Sequence, residues 1–224
     1  MKNIKCLAFA AGLALCTLST AAQAAVVITG ANVGQTFQLD YTGQVGGSST
    51  NLISATQVFT FTGLANGGNS YVFSVATTNS SAVDSRLRSF GFDVTSAVVT
   101  GASSAGTYGY AAFGDNYPEG FGTVEVCFKA TSNGTCTGGP MGLDDGQSGN
   151  TIITLNFASA LSSITLDRFV TRFQSIEPSI NGSDSGIGVP VTAVPEPASW
   201  AMLIVGMGFV GVAMRRRKTA ISFA

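Results

Sequence analysis

The side chains of this chain that could carry out chemistry are carboxylates, because its 224 residues include no histidine. The usual general base, the serine and cysteine triads and histidine-bearing zinc sites are therefore excluded. Glycoside hydrolysis needs only two carboxyl groups, about 5 Å or about 6.5–9.5 Å apart. The candidates are Glu119, Glu125, Asp144 and Asp145. Glu125 alternates away from an apolar strand face, which predicts a solvated side chain, and Asp144-Asp145-Gly146 is typical of a turn. A sugar-binding site would also need aromatic side chains near the acids, and nothing in the sequence pairs the loop tyrosines Tyr108, Tyr110 and Tyr117 with them. We therefore expect no enzymatic activity.

Two loops offer oxygen ligands for calcium. Asp144, Asp145 and Asn150 lie in one loop, and Asp115, Asn116 and Glu119 lie in the other. Neither has the spacing and the closing glutamate of a calcium-binding loop. We predict no required metal or cofactor, with calcium in the Asp144-Asp145 loop as the alternative.

Arg86 and Arg88 lie two residues apart, which places both on one face of a predicted strand. Together they could contact an anion or a carboxylate. A surface ion pair with Asp84 or Asp93 is the more ordinary interpretation.

The C-terminal residues combine an extended motif, an apolar run and a basic cluster. Pro195 and Pro197 flank Glu196 and keep the backbone extended. The 17 residues 198–214 carry no charge, and as a helix they would span roughly 25 Å, the low end for crossing a bilayer. The cations that follow would stay on the cytoplasmic side: Arg215, Arg216, Arg217 and Lys218.

A G-x-G-x-x-G pattern at 206–211 lies inside the apolar run rather than after a strand, so it does not indicate a dinucleotide site. Its glycines either allow close helix approach or are simply tolerated.

This arrangement resembles the C-terminal sorting tail of PEP-CTERM proteins. The PEPxxWA variant of that tail matches Pro195, Glu196, Pro197, Trp200 and Ala201 position by position. In that family of Gram-negative bacteria, a membrane-embedded exosortase recognises the tail, and the upstream part is released or transferred outside the cell. The resemblance implies transient anchoring in the inner membrane, then a location at the cell surface or outside the cell, with exosortase and exopolysaccharide as partners. An ordinary single-pass anchor is the alternative.

The N-terminus predicts a signal peptide over residues 1–24. Lys2 and Lys5 precede an apolar stretch at 7–18, and small residues, Ala22 and Ala24, lie where signal peptidase would cut after Ala24. A lipoprotein is not expected, because the residue before Cys16 is a leucine.

Two cysteines remain in the exported part, Cys127 and Cys136. They flank Asn133-Gly134, a strong turn-forming pair. An even pair around a turn in an exported protein indicates a disulfide that closes a hairpin. Metal binding by the two thiolates is the alternative.

The exported region, from residue 25 to about 194, is the size of one ordinary domain. It contains five cations and eleven acids, a net charge of −6. This balance argues against nucleic acid as a partner and against electrostatic docking on anionic lipid.

Apolar residues alternate with polar ones in many short runs, which predicts half-buried antiparallel strands. The runs begin at Phe37, Phe59, Tyr71, Phe90, Val124 and Ile153. Glycine-rich turns such as 46–49 and 66–69 separate them. We predict an all-β domain at 25–178, either an antiparallel sandwich or a jelly roll. A flexible linker at 179–194, the sorting tail at 195–218 and a short cytoplasmic end at 219–224 follow.

Segments of this domain resemble the cistern group of PEP-CTERM proteins. The resemblance is carried by Phe37 to Gly43, Asn79 to Val94, Val124 to Phe128 and Ile164 to Ile176. It implies no specific activity. We therefore expect a non-enzymatic protein of the cell surface or matrix. A carbohydrate-binding module, against which the absence of tryptophan in the mature domain counts, or a glycan-active enzyme is the alternative.

Overall fold

The computed structural model describes residues 25–132 and 134–191. The predicted signal peptide, Asn133 and the tail from residue 192 onward lie outside the described residues. Within the described part, no helix is long and apolar enough to cross a membrane. Its regular structure is fourteen strands and two short 3-10 turns.

The strands are β1 (Val26–Thr29), β2 (Thr36–Val45), β3 (Ser48–Ala65), β4 (Ser70–Asn79), β5 (Asp84–Val94), β6 (Gly101–Gly106), β7 (Tyr110–Phe113), β8 (Asn116–Tyr117), β9 (Gly122–Thr123), β10 (Val126–Lys129), β11 (Leu143–Asp144), β12 (Ser148–Asn156), β13 (Ser163–Glu177) and β14 (Ser185–Pro190). The 3-10 turns are Gly30–Asn32 and Asn66–Gly68.

Twelve strands form one antiparallel sheet in the order β6-β12-β4-β3-β2-β14-β13-β5-β10-β7. Within this sheet β1 also pairs with β13 and β11 with β5, while β8 and β9 form a separate hairpin. The end strands β6 and β7 approach each other, so the sheet is nearly closed. The all-β prediction is confirmed. The predicted division into two packed sheets is replaced by one continuous curled sheet.

The core lies inside the curled sheet, where the alternating apolar residues meet. Phe59 lies at its centre: its ring stacks on Phe37 at 4.9 Å and meets Phe169 edge-on at 5.6 Å. Phe90 and Phe92 approach the same ring from β5. Each large side chain buried in this way contributes on the order of 2 kcal/mol. The period of two in the sequence therefore identified the inward face of the strands correctly.

The predicted linker at 179–194 needs correction, because part of it is a strand of the sheet. β14 pairs with β2 on one side and with β13 on the other. Ile187 is buried, and Gly188 lies where a Cβ would clash with the side chain of Thr171. Gly186 and Gly188, which suggested flexibility, are therefore required by crowding inside the sheet. The sheet continues to Pro190, and Val191 still donates its backbone N–H to the carbonyl of Asp40 at 2.8 Å.

Candidate functional site

A second, smaller apolar cluster lies on the outer face of the sheet. It joins Val170 of β13 and Ile187 of β14 to residues from the segment 114–136, including Tyr117, Val124 and the two cysteines. The Tyr117 hydroxyl lies 3.0 Å from the Ser89 hydroxyl, and burial raises the pKa of Tyr117. The segment is thus fixed over β5, β13 and β14 rather than projecting as a free loop.

The two cysteines of this cluster are joined. Cys127 and Cys136 form a disulfide with their Cα atoms 6.3 Å apart, within the normal range. The expected hairpin is not formed, because β10, which carries Cys127, pairs with β5 and β7 while Cys136 lies outside the strands. The bridge instead fastens a loop across the sheet.

Asp115 lies beside this disulfide. One of its oxygens accepts the backbone N–H of Cys136 at 2.6 Å, and Sγ of Cys127 lies 3.5 Å from it. The ligand atoms of Asp115 and the two cysteines lie within 4.8 Å of one another. Because both sulfur atoms are bonded to each other, they are not thiolates, the form in which cysteine binds a metal. The arrangement therefore favours a structural bridge over the metal alternative.

Three of the four candidate carboxylates, those of Glu119, Glu125 and Asp144, accept hydrogen bonds from other parts of the fold. The contacts of the two glutamates are with backbone groups. Glu119 accepts the N–H groups of Gly46 and Gly47 at 3.2 and 2.7 Å. Glu125 accepts those of Val94 and Val99 at 3.0 and 2.9 Å. Its predicted solvation is therefore wrong: it is half-buried and ties a turn to the end of β5.

The loop tyrosines Tyr108, Tyr110 and Tyr117 differ in their exposure and in their contacts. Tyr108 is buried and donates its hydroxyl hydrogen to the carbonyl oxygen of Leu87 at 3.0 Å. Tyr110 is exposed on the edge strand β7, and Tyr117 is buried in the outer cluster. No aromatic platform results from these three side chains.

The ion pairs differ from the predicted ones. Arg86 donates to Asp144 at 2.6 Å and to the carbonyl of Pro140 at 2.9 Å, whereas Arg168 donates to Asp93 at 2.6 Å. Asp84 and Asp93 are therefore not the partners of Arg86, because the pairing of β11 with β5 brings Asp144 opposite Arg86. This contact also occupies an oxygen of Asp144 that the calcium alternative would need.

Sequence reasoning missed a group of buried cations on the outer face: Arg88, Lys129 and Arg172. Arg172 donates to the carbonyl oxygens of Gly186 and Thr137, and Lys129 donates to that of Gly134. Nε and Nη1 of Arg88 have no such contact with any residue that the structure describes. Burial lowers the pKa of its guanidinium, and the charge of Arg86 lowers it further. Three cations within strand sequences were the available signal, but only the strand order brings them together.

Sequence reasoning also missed a pair of acids, Asp93 and Asp167, which face each other across β5 and β13. Asp93 is held by Arg168 and by the N–H of Glu125 at 2.7 Å. Burial raises the pKa of Asp167, and the charge of Asp93 raises it further.

Cavities open on the outer surface near these groups. One of about 260 Å³ is lined by Arg88, Gln174, Ser175, Asp184 and Ser185. Ser175 also borders a second cavity of about 310 Å³ beside Arg86 and Asp144. A third, of about 530 Å³, lies against Phe121, Arg168 and Val189. All three are open to solvent. The lining of the first two is mainly polar, whereas that of the third is about half apolar.

Beyond the sheet, residues 193–218 match the PEP-CTERM protein-sorting motif. The chain carries a PEP-CTERM tail. This tail implies export, membrane anchoring in transit and sorting by an exosortase. The match includes the predicted Pro-Glu-Pro triplet and ends at Lys218, the last residue of the predicted basic cluster. No curated protein matches the chain. The PEP-CTERM match covers the tail alone, so the likeness of the mature domain to the cistern group stays a prediction.

Proposed function

We propose that this chain is a non-enzymatic β protein that its PEP-CTERM tail delivers to the cell surface or the extracellular matrix. There it has a structural role or mediates interactions with other molecules. The proposal rests on the tail and on the contacts of the acids in the exported domain. Glu119, Glu125 and Asp144 each satisfy another group of the fold, which leaves no pair of these acids free in one cleft.

The observation that carries the proposal is the position of the sorting motif relative to the sheet. Val191 is hydrogen-bonded to β2, and the matched motif begins at residue 193. Four Cα–Cα steps from Val191 to Pro195 span at most about 14 Å. The folded domain therefore lies close to the sorting enzyme when that enzyme binds the motif. Processing of the motif then determines where the domain is delivered.

The test replaces Pro195, Glu196 and Pro197 with alanine in a host that has its exosortase. The triplet lies just before the apolar run, where a protease can reach it. We expect the variant to insert into the membrane but to remain there, whereas the wild type reaches the medium or the cell surface. The measurement is the fraction of domain in washed membranes.

The matched control replaces Thr192, which directly precedes the matched motif, with alanine. It should be released like the wild type. Equal release of the triplet variant would show that the tail is a plain anchor.

A carbohydrate-binding module or a glycan-active enzyme is the alternative role. The third cavity is the feature that favours it, because Phe121 lines this cavity and aromatic faces bind sugar rings. The guanidinium carbon of Arg168 lies 5.2 Å from the centre of the Phe121 ring. Saturable binding of a neutral oligosaccharide that Phe121→Ala abolishes would support this alternative.

A further inference from the structure

The first inference concerns the 260 Å³ cavity, whose lining residues are all polar. Arg88 lies on β5 at an irregularity of the pairing with β13. Leu87 pairs with Phe173 and Ser89 pairs with Arg172, so Arg88 has no partner in register. Because of this irregularity, Arg88 lies outside the regular pairing of β5 with β13 and lines the cavity.

The guanidinium of Arg88 lacks the contacts that a buried charge needs. Its side chain is 8% exposed, yet Nε and Nη1 are buried without a hydrogen-bond partner among the described residues. Buried polar groups in folded proteins are normally satisfied by protein, water or a bound ion. Arg172 lies nearby, and its charge adds to that of Arg88.

We propose that this cavity binds an anionic oxygen group of a ligand, with Arg88 as the charged contact. The hydroxyl groups of Ser175 and Ser185 line the same cavity and can donate hydrogen bonds. Asp184 is an exposed acid at the rim and repels a second negative charge. The site therefore favours a singly charged carboxylate over a phosphate dianion.

The test is calorimetric titration of the full-length chain in neutral detergent with acetate and, separately, with inorganic phosphate. We expect saturable acetate binding, at least tenfold weaker in Arg88→Gln and changed less than twofold in Arg168→Gln, which removes a cation from another part of the surface. Asp184→Asn should strengthen phosphate binding. Absence of saturable binding to the folded wild type, or equal binding by Arg88→Gln, overturns the proposal.

A second readout does not depend on a ligand. Because Arg88→Gln removes an unpaired buried charge, its Tm without added anion should equal or exceed that of the wild type. A clearly lower Tm would assign Arg88 a structural role and contradict the proposal.

A second inference comes from the end of the sheet at which the chain leaves. β14 ends there, and because the strands are antiparallel the turns 30–35, 65–69, 95–100 and 157–162 lie at the same end. We call this surface, with Val191, the exit end. None of the four turns contains a charged residue. Val33 and Val98 are 59% and 77% exposed, and Leu64 and Val191 are also exposed.

The distance to the membrane is limited by the chain. The apolar run of the tail begins at residue 198, and seven Cα–Cα steps from Val191 span at most about 25 Å. While the tail is anchored, the domain cannot stand far from the bilayer. The end that carries Val191 must face it.

We infer that the exit end rests on the lipid surface while the tail is anchored, an inference that depends on the proposed function. The domain is acidic as a whole, whereas the four turns of the exit end contain no charged residue of their own, and the carboxylate that reaches one of them, that of Glu125, accepts the N–H groups of Val94 and Val99. This end therefore approaches a bilayer with less repulsion than the acidic remainder of the surface. Exposed valine and leucine side chains at the turns can enter the interfacial layer at little cost.

The test uses single-tryptophan reporters in the full-length chain reconstituted into vesicles of brominated phosphatidylcholine. Trp200→Phe removes the only native tryptophan, and Val33→Trp or Val98→Trp is then added. The control is Leu52→Trp, an apolar position at the opposite end of the sheet that is 44% exposed. We expect at least threefold stronger quenching at positions 33 and 98 than at 52.

Equal quenching at all three positions, in a chain that co-sediments with the vesicles, overturns this inference and leaves the proposed function intact. Failure of the chain to co-sediment contradicts both, because the tail would then not anchor it.

Discussion

Asp93 and Asp167 lie directly opposite each other on β5 and β13, and within residues 25–132 and 134–191 Asp93 forms an ion pair, with Arg168, whereas Asp167 forms none. Oδ1 of Asp167 is buried without a hydrogen-bond partner among the described residues. Like charges directly opposite in a sheet destabilise it. The fold therefore places Asp93, which is held by an ion pair, beside a second carboxyl group, that of Asp167, which gains from being protonated.

The first prediction concerns pH. Burial and the charge of Asp93 raise the pKa of Asp167, so the folded state favours the protonated form. The contribution of Asp167 to stability is then fully present below its unfolded pKa of about 3.9, and it is lost as pH rises through the higher folded pKa. Asp167→Asn should raise Tm at pH 7 and leave it unchanged near pH 3.5, as circular dichroism would measure. Asp145→Asn, at an exposed acid, is the control; a gap between Asp167→Asn and wild type that does not vary with pH would contradict the prediction.

The second prediction concerns the disulfide. It closes a short loop in which the carbonyl of Gly134 accepts a hydrogen bond from Lys129. The carbonyl of Thr137, directly after the loop, accepts one from Arg172. Replacing Cys127 and Cys136 with serine should lower the free energy of unfolding by about 2–3 kcal/mol, through the greater freedom of the unfolded chain. Denaturant unfolding measures this loss.

The control for the second prediction is replacement of Cys6 and Cys16, which lie in the predicted signal peptide. It should leave the stability of the exported protein unchanged. Two thiols that titrate in the unreduced exported protein would show that the bridge does not form.

The third prediction tests whether β14 belongs to the sheet. Gly188→Ala places a Cβ against Oγ1 of Thr171, 3.0 Å from Phe173 and 3.1 Å from Tyr41. Such overpacking should cost about 1–3 kcal/mol. Gly101→Ala in the edge strand β6 is the matched control, since its Cβ would meet nothing closer than 3.5 Å. Equal Tm values for the two variants would place 185–190 outside the packed sheet.

The fourth prediction concerns the aromatic core. Phe59 is fully buried against the rings of Phe37 and Phe169. Phe59→Ala should lower the free energy of unfolding by about 3–5 kcal/mol, because a large cavity remains. Val98→Ala, at an exposed turn, should change it by less than about 0.5 kcal/mol. A small effect of Phe59→Ala in denaturant unfolding would mean that the sheet does not curl around this ring.

The sequence by itself determined the features that depend on neighbouring residues. Alternation placed Phe59 and Phe61 on the inner face, because successive strand side chains point to opposite sides. The Pro-Glu-Pro triplet and the apolar run predicted the sorting tail, because the sorting motif is a continuous segment of the chain.

Only the tertiary structure decided which strands are neighbours. Periodicity specifies the face of a strand but not its partner, so the sequence could not tell one curled sheet from two packed ones. It could not show that 185–190, with its glycines, fills the gap between β2 and β13. Nor could it show that Asp144 rather than Asp84 pairs with Arg86, or that two guanidinium nitrogens of Arg88 are left without a hydrogen-bond partner in the described part of the chain. These contacts join residues far apart in the chain, and strand order alone brings them together.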